Sequence, residues 1–375
     1  MEIGVDAQVL LEPSAGITYY TKGLLESVLK LDRKNHYDLL LWRLFPKPLV
    51  RMFGDGRNFA YRYQRFFPYK FFYKFHKLGV DIPLEFFWGK HDLYFFPNFV
   101  AYPHRTGKSV VVVHDLAFEK FPQYVFKRNV DFLKKFVPPS VAQADHVIAN
   151  SEFTKRDLVE TYGTPAEKIT VAYPGVDGNS FYPRLEKEKE EIKKKYGIDR
   201  PYVLFLGTLE PRKNVPALLR AYAALKGRGD HRLVLAGKTD WMAEEIFRTV
   251  KELGLEKEVI LTGYVPEDDR PLLMAAAEVF VYPSFFEGFG MPVVEAQACG
   301  TPVIASDTTS LPEAAGEGAI LIDPKNVNEI TGALEKVLAS EKLRDELKEK
   351  GLKNAQRFRW DDSARKVLDI FRSLD

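Results

Sequence analysis

Short runs of β-branched and aromatic residues alternate with longer stretches of helical apolar spacing along almost the whole chain. This pattern predicts βα units built around parallel sheets. The first strand falls near Ile3-Gly4-Val5, followed by a loop at Ser14-Ala15-Gly16 and a helix from about Ile17 to Leu31. Tyr37 to Trp42, Leu93 to Phe96, Val110 to Val113, Val147 to Ala149 and Ile169 to Ala172 read as the remaining strands of this half. Ser151 carries the short hydroxyl that suits an N-cap for the helix after Asn150. From Leu185 to Lys195 the chain turns to Glu and Lys, spaced for i,i+4 pairing on an exposed helix that opens the second half. Strands are then expected at Tyr202 to Leu206, Arg232 to Ala236, Val259 to Thr262, Val279 to Tyr282, Val303 to Ala305 and Ala319 to Ile322. The tail from Glu329 to Leu374 reads as helical, with a break near Phe358-Arg359-Trp360.

Two doubly wound α/β domains with a cleft between them are the economical architecture for 375 residues of this pattern. A hydrophobic content of 46% and a charged content of 28% are those of an ordinary soluble globular protein. The net charge of +2 creates no global field that would demand a nucleic-acid partner. A lone cysteine, Cys299, rules out an internal disulfide framework and fits a small buried residue at a helix end. Met1 to Asp6 is acidic and has too short an apolar run for a signal peptide, and no stretch approaches the ~20 apolar residues of a spanning helix. A cytoplasmic location is therefore expected.

In open α/β sheets, ligands sit beyond the carboxyl ends of the strands, so the loops after strands hold the candidate chemistry. Gly207-Thr208-Leu209-Glu210-Pro211-Arg212-Lys213-Asn214 follows the first strand of the second half. Gly207 allows a tight exit, and Arg212 and Lys213 place two cations where a pyrophosphate could be neutralised. Alone, that pair reads as a solvated loop. The segment Phe285 to Glu295, after another strand, changes the balance: Glu287 lies in a loop, Gly288, Phe289 and Gly290 offer backbone N–H groups, and Pro292 suits a first helical turn. Glu287 is placed to face a sugar, and Glu295, one turn into the helix, to reach a ribose. The alternative for each is a carboxylate serving the helix N-terminus. His114-Asp115 follows the buried run Val110 to Val113. His114 is either a group facing a bound sugar or a structural hydrogen-bonding residue, and Asp115 an orienter of its loop.

Glu287-x7-Glu295, the Gly207 to Asn214 loop and Tyr173-Pro174-Gly175-Val176-Asp177 together resemble glycosyltransferase family 4, retaining enzymes of the GT-B fold. The resemblance covers nearly the whole chain apart from about residues 43 to 92. It implies residues 1–180 as an acceptor-side Rossmann-like domain, 181–358 as the nucleotide-sugar domain, and 359–375 as a helix crossing back onto the first. It implies Glu287 and His114 beside the donor sugar, Glu295 on the ribose, and Arg212 and Lys213 on the diphosphate. Gly16, Gly207, Gly237, Val265 and the Gly288 to Gly290 loop become further donor contacts. Thr208 departs from the family pattern, in which many members place an Arg; that load would pass to Arg212. The expected donor is GDP-mannose or a UDP-sugar, with mannosyltransferases the nearer likeness. The expected acceptor is a glycan or lipid-linked sugar of the cell envelope. No Asp-x-Asp motif or His/Cys cluster appears, so no metal is expected. A nucleotide-sugar epimerase, a phosphorylase and a non-catalytic nucleotide-sugar-binding protein stand as alternatives.

Residues 43 to 90 are rich in aromatics and cations, with acids nearly absent before Asp81. This composition suits an anionic membrane surface, which would place the protein at the inner face of the plasma membrane. It equally suits an aromatic platform for an acceptor, or a plain insertion packed on the first domain. Nucleic acid is disfavoured because the basic cluster is local.

Overall fold

The computed structural model describes residues 1–11, 16–42, 53, 58–239 and 244–375. It divides into two compact units, one of Met1–Gly175 with Arg359–Asp375, the other of Val176–Phe358. The expected Ser14-Ala15 part of the first loop, and residues 43–52 and 54–57 of the aromatic insert, lie outside the described residues.

The first unit is a parallel sheet of seven strands: β1 (Glu2–Asp6), β2 (His36–Trp42), β3 (Phe59–Gln64), β4 (Leu93–Phe96), β5 (Lys108–Val113), β6 (His146–Ala149) and β7 (Ile169–Val171). Their order is β3-β2-β1-β4-β5-β6-β7. The chain winds outward from β1 to β3 and then returns to β4 on the other side of β1, so β1 and β4 bound the switch point where such sheets bind ligands. The strand β3 was not expected. It pairs in parallel with β2 from Tyr37↔Phe59 to Trp42↔Gln64, so part of the aromatic insert extends the sheet. Its sequence, Phe-Ala-Tyr-Arg-Tyr-Gln, has the period of two that marks a half-covered edge strand.

One face of this sheet is covered by the helices Gly16–Leu31 and Trp360–Leu374, which share a core of Leu24, Val28, Val367 and Phe371. The last helix thus belongs to the first unit. Its entry is set by Trp360: a Cβ on Gly23 or Gly175 would come within 2.4 Å or 2.3 Å of that residue, so only glycine fits at either position. The other face is covered by Tyr69–Lys77 and Lys127–Gln143, with Phe72, Phe96, Phe136 and Val137 in the core. Ser151 caps the helix Glu152–Tyr162, accepting the Thr154 N–H at 2.9 Å.

The second unit is a parallel sheet of six strands: β8 (Tyr202–Leu206), β9 (Arg232–Ala236), β10 (Val259–Gly263), β11 (Val279–Tyr282), β12 (Val303–Ser306) and β13 (Ala319–Ile322), ordered β10-β9-β8-β11-β12-β13. The central strands β8 and β11 are apolar and buried throughout, as strands covered on both faces must be. Here the switch point lies between β8 and β11. The helix Glu186–Lys195 opens the unit, and its Lys187–Glu191 pair has the expected i,i+4 spacing. Residues 176–180, expected with the first domain, instead belong to the second unit. The Val176 N–H donates to the Phe358 carbonyl at 3.0 Å, and Phe181 packs against the second core. The helical tail breaks at 356–359 as expected, and also at Ser340, whose hydroxyl caps the helix Glu341–Ala355. Cys299 is buried, its Sγ 3.5 Å from the Pro271 carbonyl.

Candidate functional site

In the second unit, two strand-end loops meet at one carboxylate. Pro211–Lys213 forms a single 3-10 turn after β8, and the Glu287 loop follows β11. They are stitched together by the Phe285 N–H donating to the Arg212 carbonyl at 2.8 Å. Lys213 Nζ lies 2.6 Å from Glu287 Oε1, and an Arg212 guanidinium nitrogen 2.8 Å from Glu287 Oε2. Each carboxylate oxygen therefore has its own cation. Arg212 also meets Glu210 at 2.7 Å and donates to the Phe286 carbonyl, while Lys213 donates to the Tyr282 hydroxyl at 2.6 Å. Thr208, at the position where the family resemblance implies an arginine, is exposed.

Burial alone would raise the Glu287 carboxyl, but Arg212 and Lys213 overrule it and hold the group at about 2. Glu287 is thus ionised at neutral pH and has no proton to give. The Lys213 ammonium is pulled below its ordinary value by burial and by Arg212, with Glu287 and Glu210 opposing. Two cations, Arg212 and Lys213, and two acids, Glu210 and Glu287, thus form one charge-balanced cluster at the strand ends.

The Glu287 loop is fixed from a third strand end that the sequence reading passed over. After β12, Thr309 Oγ1 accepts the Glu287 N–H at 3.2 Å and the Ser310 hydroxyl donates to the Glu287 carbonyl at 2.8 Å. Thr309 holds φ at 58°, a left-handed conformation costly for a β-branched residue and typical of functional sites. Glu210 and Tyr282 were missed as well. All four lie at the carboxyl edges of β8, β11 and β12, so position after a strand was the available signal.

Other expected residues have structural partners. Glu295 is buried on the helix Met291–Ala298 and pairs with Arg270 at 2.7 Å. Burial raises its carboxyl above the ordinary range, with Arg270 opposing. Gly290 has φ 102° and caps the helix; a Cβ there would lie 2.5 Å from Leu311. The Phe289 ring is buried against Phe358, and the Val265 side chain lies in the second core, so either could serve a ligand through its backbone. Gly237, at φ 147°, brings β9's exit so close to Gly207 that a Cβ would sit 1.9 Å from the Gly207 carbonyl oxygen.

In the first unit, His114 follows β5 and is buried between the rings of Tyr20 and Phe99. Its Nε2 lies 2.8 Å from the Pro97 carbonyl, which can only accept, so Nε2 carries the proton and Nδ1 is the acceptor. Burial depresses its pKa to about 4, against the Pro97 bond, leaving a neutral imidazole. Asp115 accepts the Ala117 N–H at 2.9 Å, which orders the turn after His114. Gly16 opens the helix Gly16–Leu31, and a Cβ there would meet none of the described residues within 4 Å. Asp6, at the carboxyl end of β1, was not singled out; burial raises it to about 6, opposed by the Gln8 N–H. Among the described residues, no three His, Cys, Asp or Glu side chains are grouped to hold a metal ion.

Two Rossmann-like units, one of them with paired cations and an ionised acid at its switch point, define a nucleotide-sugar-using glycosyltransferase architecture. The model of the family described as "Glycosyl transferases group 1" matches residues 188–354, and that of "Glycosyltransferase Family 4" matches residues 47–179. The O-antigen chain mannosyltransferase B of Escherichia coli is 33% identical over 288 residues, covering 76% of this chain and 75% of that protein. This chain belongs to glycosyltransferase family 4, and it is a glycosyltransferase. The Serotype-specific mannosyltransferase WbdA of Escherichia coli is 30% identical over 302 residues; the match covers 78% of this chain but 36% of that longer protein. The structure of Anabaena Alr3699/HepE in complex with UDP and glucose superposes with a TM-score of 0.75 at 19% identity, covering 100% of both chains, and shares the GT-B fold.

Proposed function

We propose that this chain transfers mannose, with retention at the anomeric carbon, from GDP-mannose to a glycan or lipid-linked acceptor of the cell envelope. The observation that carries the reading is Glu287 held ionised between Arg212 and Lys213 at the ends of β8 and β11. The mannosyl donor and envelope acceptor are supported by the two E. coli relatives, named as an O-antigen chain mannosyltransferase and a serotype-specific mannosyltransferase. A UDP-sugar is the second reading, supported by the UDP bound to the Anabaena protein of the same fold.

In this reading Arg212 and Lys213 hold the diphosphate and stabilise the charge it gains on leaving. The bond from the anomeric carbon to the phosphate oxygen breaks, and a bond to the acceptor hydroxyl oxygen forms on the same face. The hydroxyl proton passes to the departing phosphate. Glu287 accepts a hydrogen bond from a donor-sugar hydroxyl and keeps the two cations in place. Neutral His114 offers Nδ1 to a sugar hydroxyl. Glu295 reaches the ribose by loosening its pair with Arg270. The loop amides of 288–290 and the backbone of Gly16 are the further phosphate contacts of this reading. Because side-chain cations neutralise the diphosphate, transfer is expected to survive EDTA.

A thermal-shift panel of GDP, UDP, ADP and their sugars tests the donor. Stabilisation by GDP and GDP-mannose above the others supports the reading, and a preference for UDP transfers it to the second. No response to any nucleotide would sink both.

A further inference from the structure

We infer that the exposed face of the helix Tyr69–Lys77, with the segments flanking it, docks on the surface of an anionic lipid bilayer. The helix is two-sided. Phe72 and His76 are buried, Phe72 stacking on Trp42 at 4.6 Å and His76 lying 4.3 Å from the Phe136 ring, so this side anchors the helix to the first unit. Phe71, Phe75 and Leu78 follow at i, i+4 and i+7 and face outward, Leu78 with 69% of its surface exposed.

The apolar surface continues past the helix. Phe67 lies 6.5 Å from Phe71, 6.2 Å from Phe75 and 5.3 Å from Phe87, and so joins the helix to the next segment. Beside it stand Phe66, 95% exposed, and Phe86, 78% exposed and 5.1 Å from Phe87. Val80 is exposed too. Such a density of exposed phenyl and alkyl groups is far from the scattered apolar residues of an ordinary surface.

Charge selects the occupant. Arg65, Lys74 and Lys77 are exposed around these rings, and Lys127 and Arg128 begin the helix on which this one packs through Tyr73 and Phe132. Among the described residues nearby acids are engaged or few: Asp81 meets His76 at 2.9 Å, Glu85 accepts the Arg105 and Thr106 N–H groups at 2.7 Å, and Asp131 is exposed. Phenyl rings ringed by cations fit the boundary between acyl chains and anionic headgroups. A glycan platform would present ring hydroxyls and indoles instead. Here Trp42 is buried, and the Tyr69 hydroxyl faces that of Tyr102 at 2.8 Å.

The test is co-sedimentation of the full chain with phosphatidylcholine vesicles, with and without phosphatidylglycerol. Binding is expected with phosphatidylglycerol and is expected to weaken as salt rises. The variants Phe71→Ser/Phe75→Ser and Lys74→Glu/Lys77→Glu should each lose about tenfold or more in vesicle affinity. Their melting temperatures and nucleotide-induced thermal shifts should match those of the parent, which separates this inference from the donor assignment. Equal binding to neutral vesicles, undiminished binding by either variant, or no vesicle binding by the parent would overturn it.

Discussion

Lys213 and Glu287 face one another across 2.6 Å inside the second unit, with 7% and 8% of their side chains exposed. Removing one member of a buried pair strands the other charge, a loss of about 3–5 kcal/mol. Glu287→Leu should destabilise the protein on that scale in urea unfolding, and Lys213→Met should cost less, because Glu287 keeps its bond to Arg212. The double variant should recover much of the loss, because both charges leave together and Arg212 keeps Glu210. All three should lack transfer activity, and Lys213→Met should bind nucleoside diphosphate more weakly in calorimetry. Strict additivity of the two single losses would show that the pair is not coupled.

Two groups, His114 and Glu287, each weaken the fold in acid over different pH ranges, while Asp6, raised to about 6, works against them. The His114 imidazole sits at about 4 in the folded chain against an ordinary 6.5. It disfavours the proton when folded, so its contribution is complete above 6.5 and is lost as pH falls towards 4, about 3 kcal/mol in all. Glu287, lowered from 4.5 to about 2, contributes above 4.5 and loses that contribution on further acidification. Thermal unfolding from pH 7 to pH 4 should therefore decline less steeply in His114→Gln than in the parent. Parallel curves would refute the buried neutral imidazole.

Two glycines should answer alanine differently. Gly237→Ala forces a Cβ to 1.9 Å from the Gly207 carbonyl oxygen at φ 147°, and should cost about 3 kcal/mol or more of stability. Gly16→Ala meets none of the described residues within 4 Å at a helix start, so its melting point should hold or rise slightly. If the donor phosphate approaches the Gly16 backbone, that well-folded variant should still lose transfer. Full activity in it would remove Gly16 from the site.

Strand identity was legible where burial made the sequence monotonous. Tyr202–Leu206 and Val279–Tyr282 are unbroken apolar runs, and both were placed to the residue. β3 was missed because its aromatics sit among so many others that composition masked the alternation. The pairing of Arg212 and Lys213 with Glu287 needed the sheet order, which brings the ends of β8 and β11 together across 74 residues or more of chain. Glu295 shows the opposite limit: its spacing from Glu287 was visible, but its bond to Arg270 from a neighbouring helix was not.

Thr309 offers the sharpest separation of strain from function. Its left-handed backbone costs about 1–2 kcal/mol for an L residue, yet its hydroxyl fixes the Glu287 N–H. Thr309→Gly should relieve the strain while deleting that acceptor, so the melting temperature should hold or rise as kcat/KM falls about tenfold, the measure of one lost positioning bond of ~1.4 kcal/mol. Thr309→Val keeps the β-branch and the strain but lacks the hydroxyl. It should therefore lose both stability and activity. If Thr309→Gly kept full activity, the hydroxyl would have no part in holding Glu287, and the strained turn would be a feature of the fold alone.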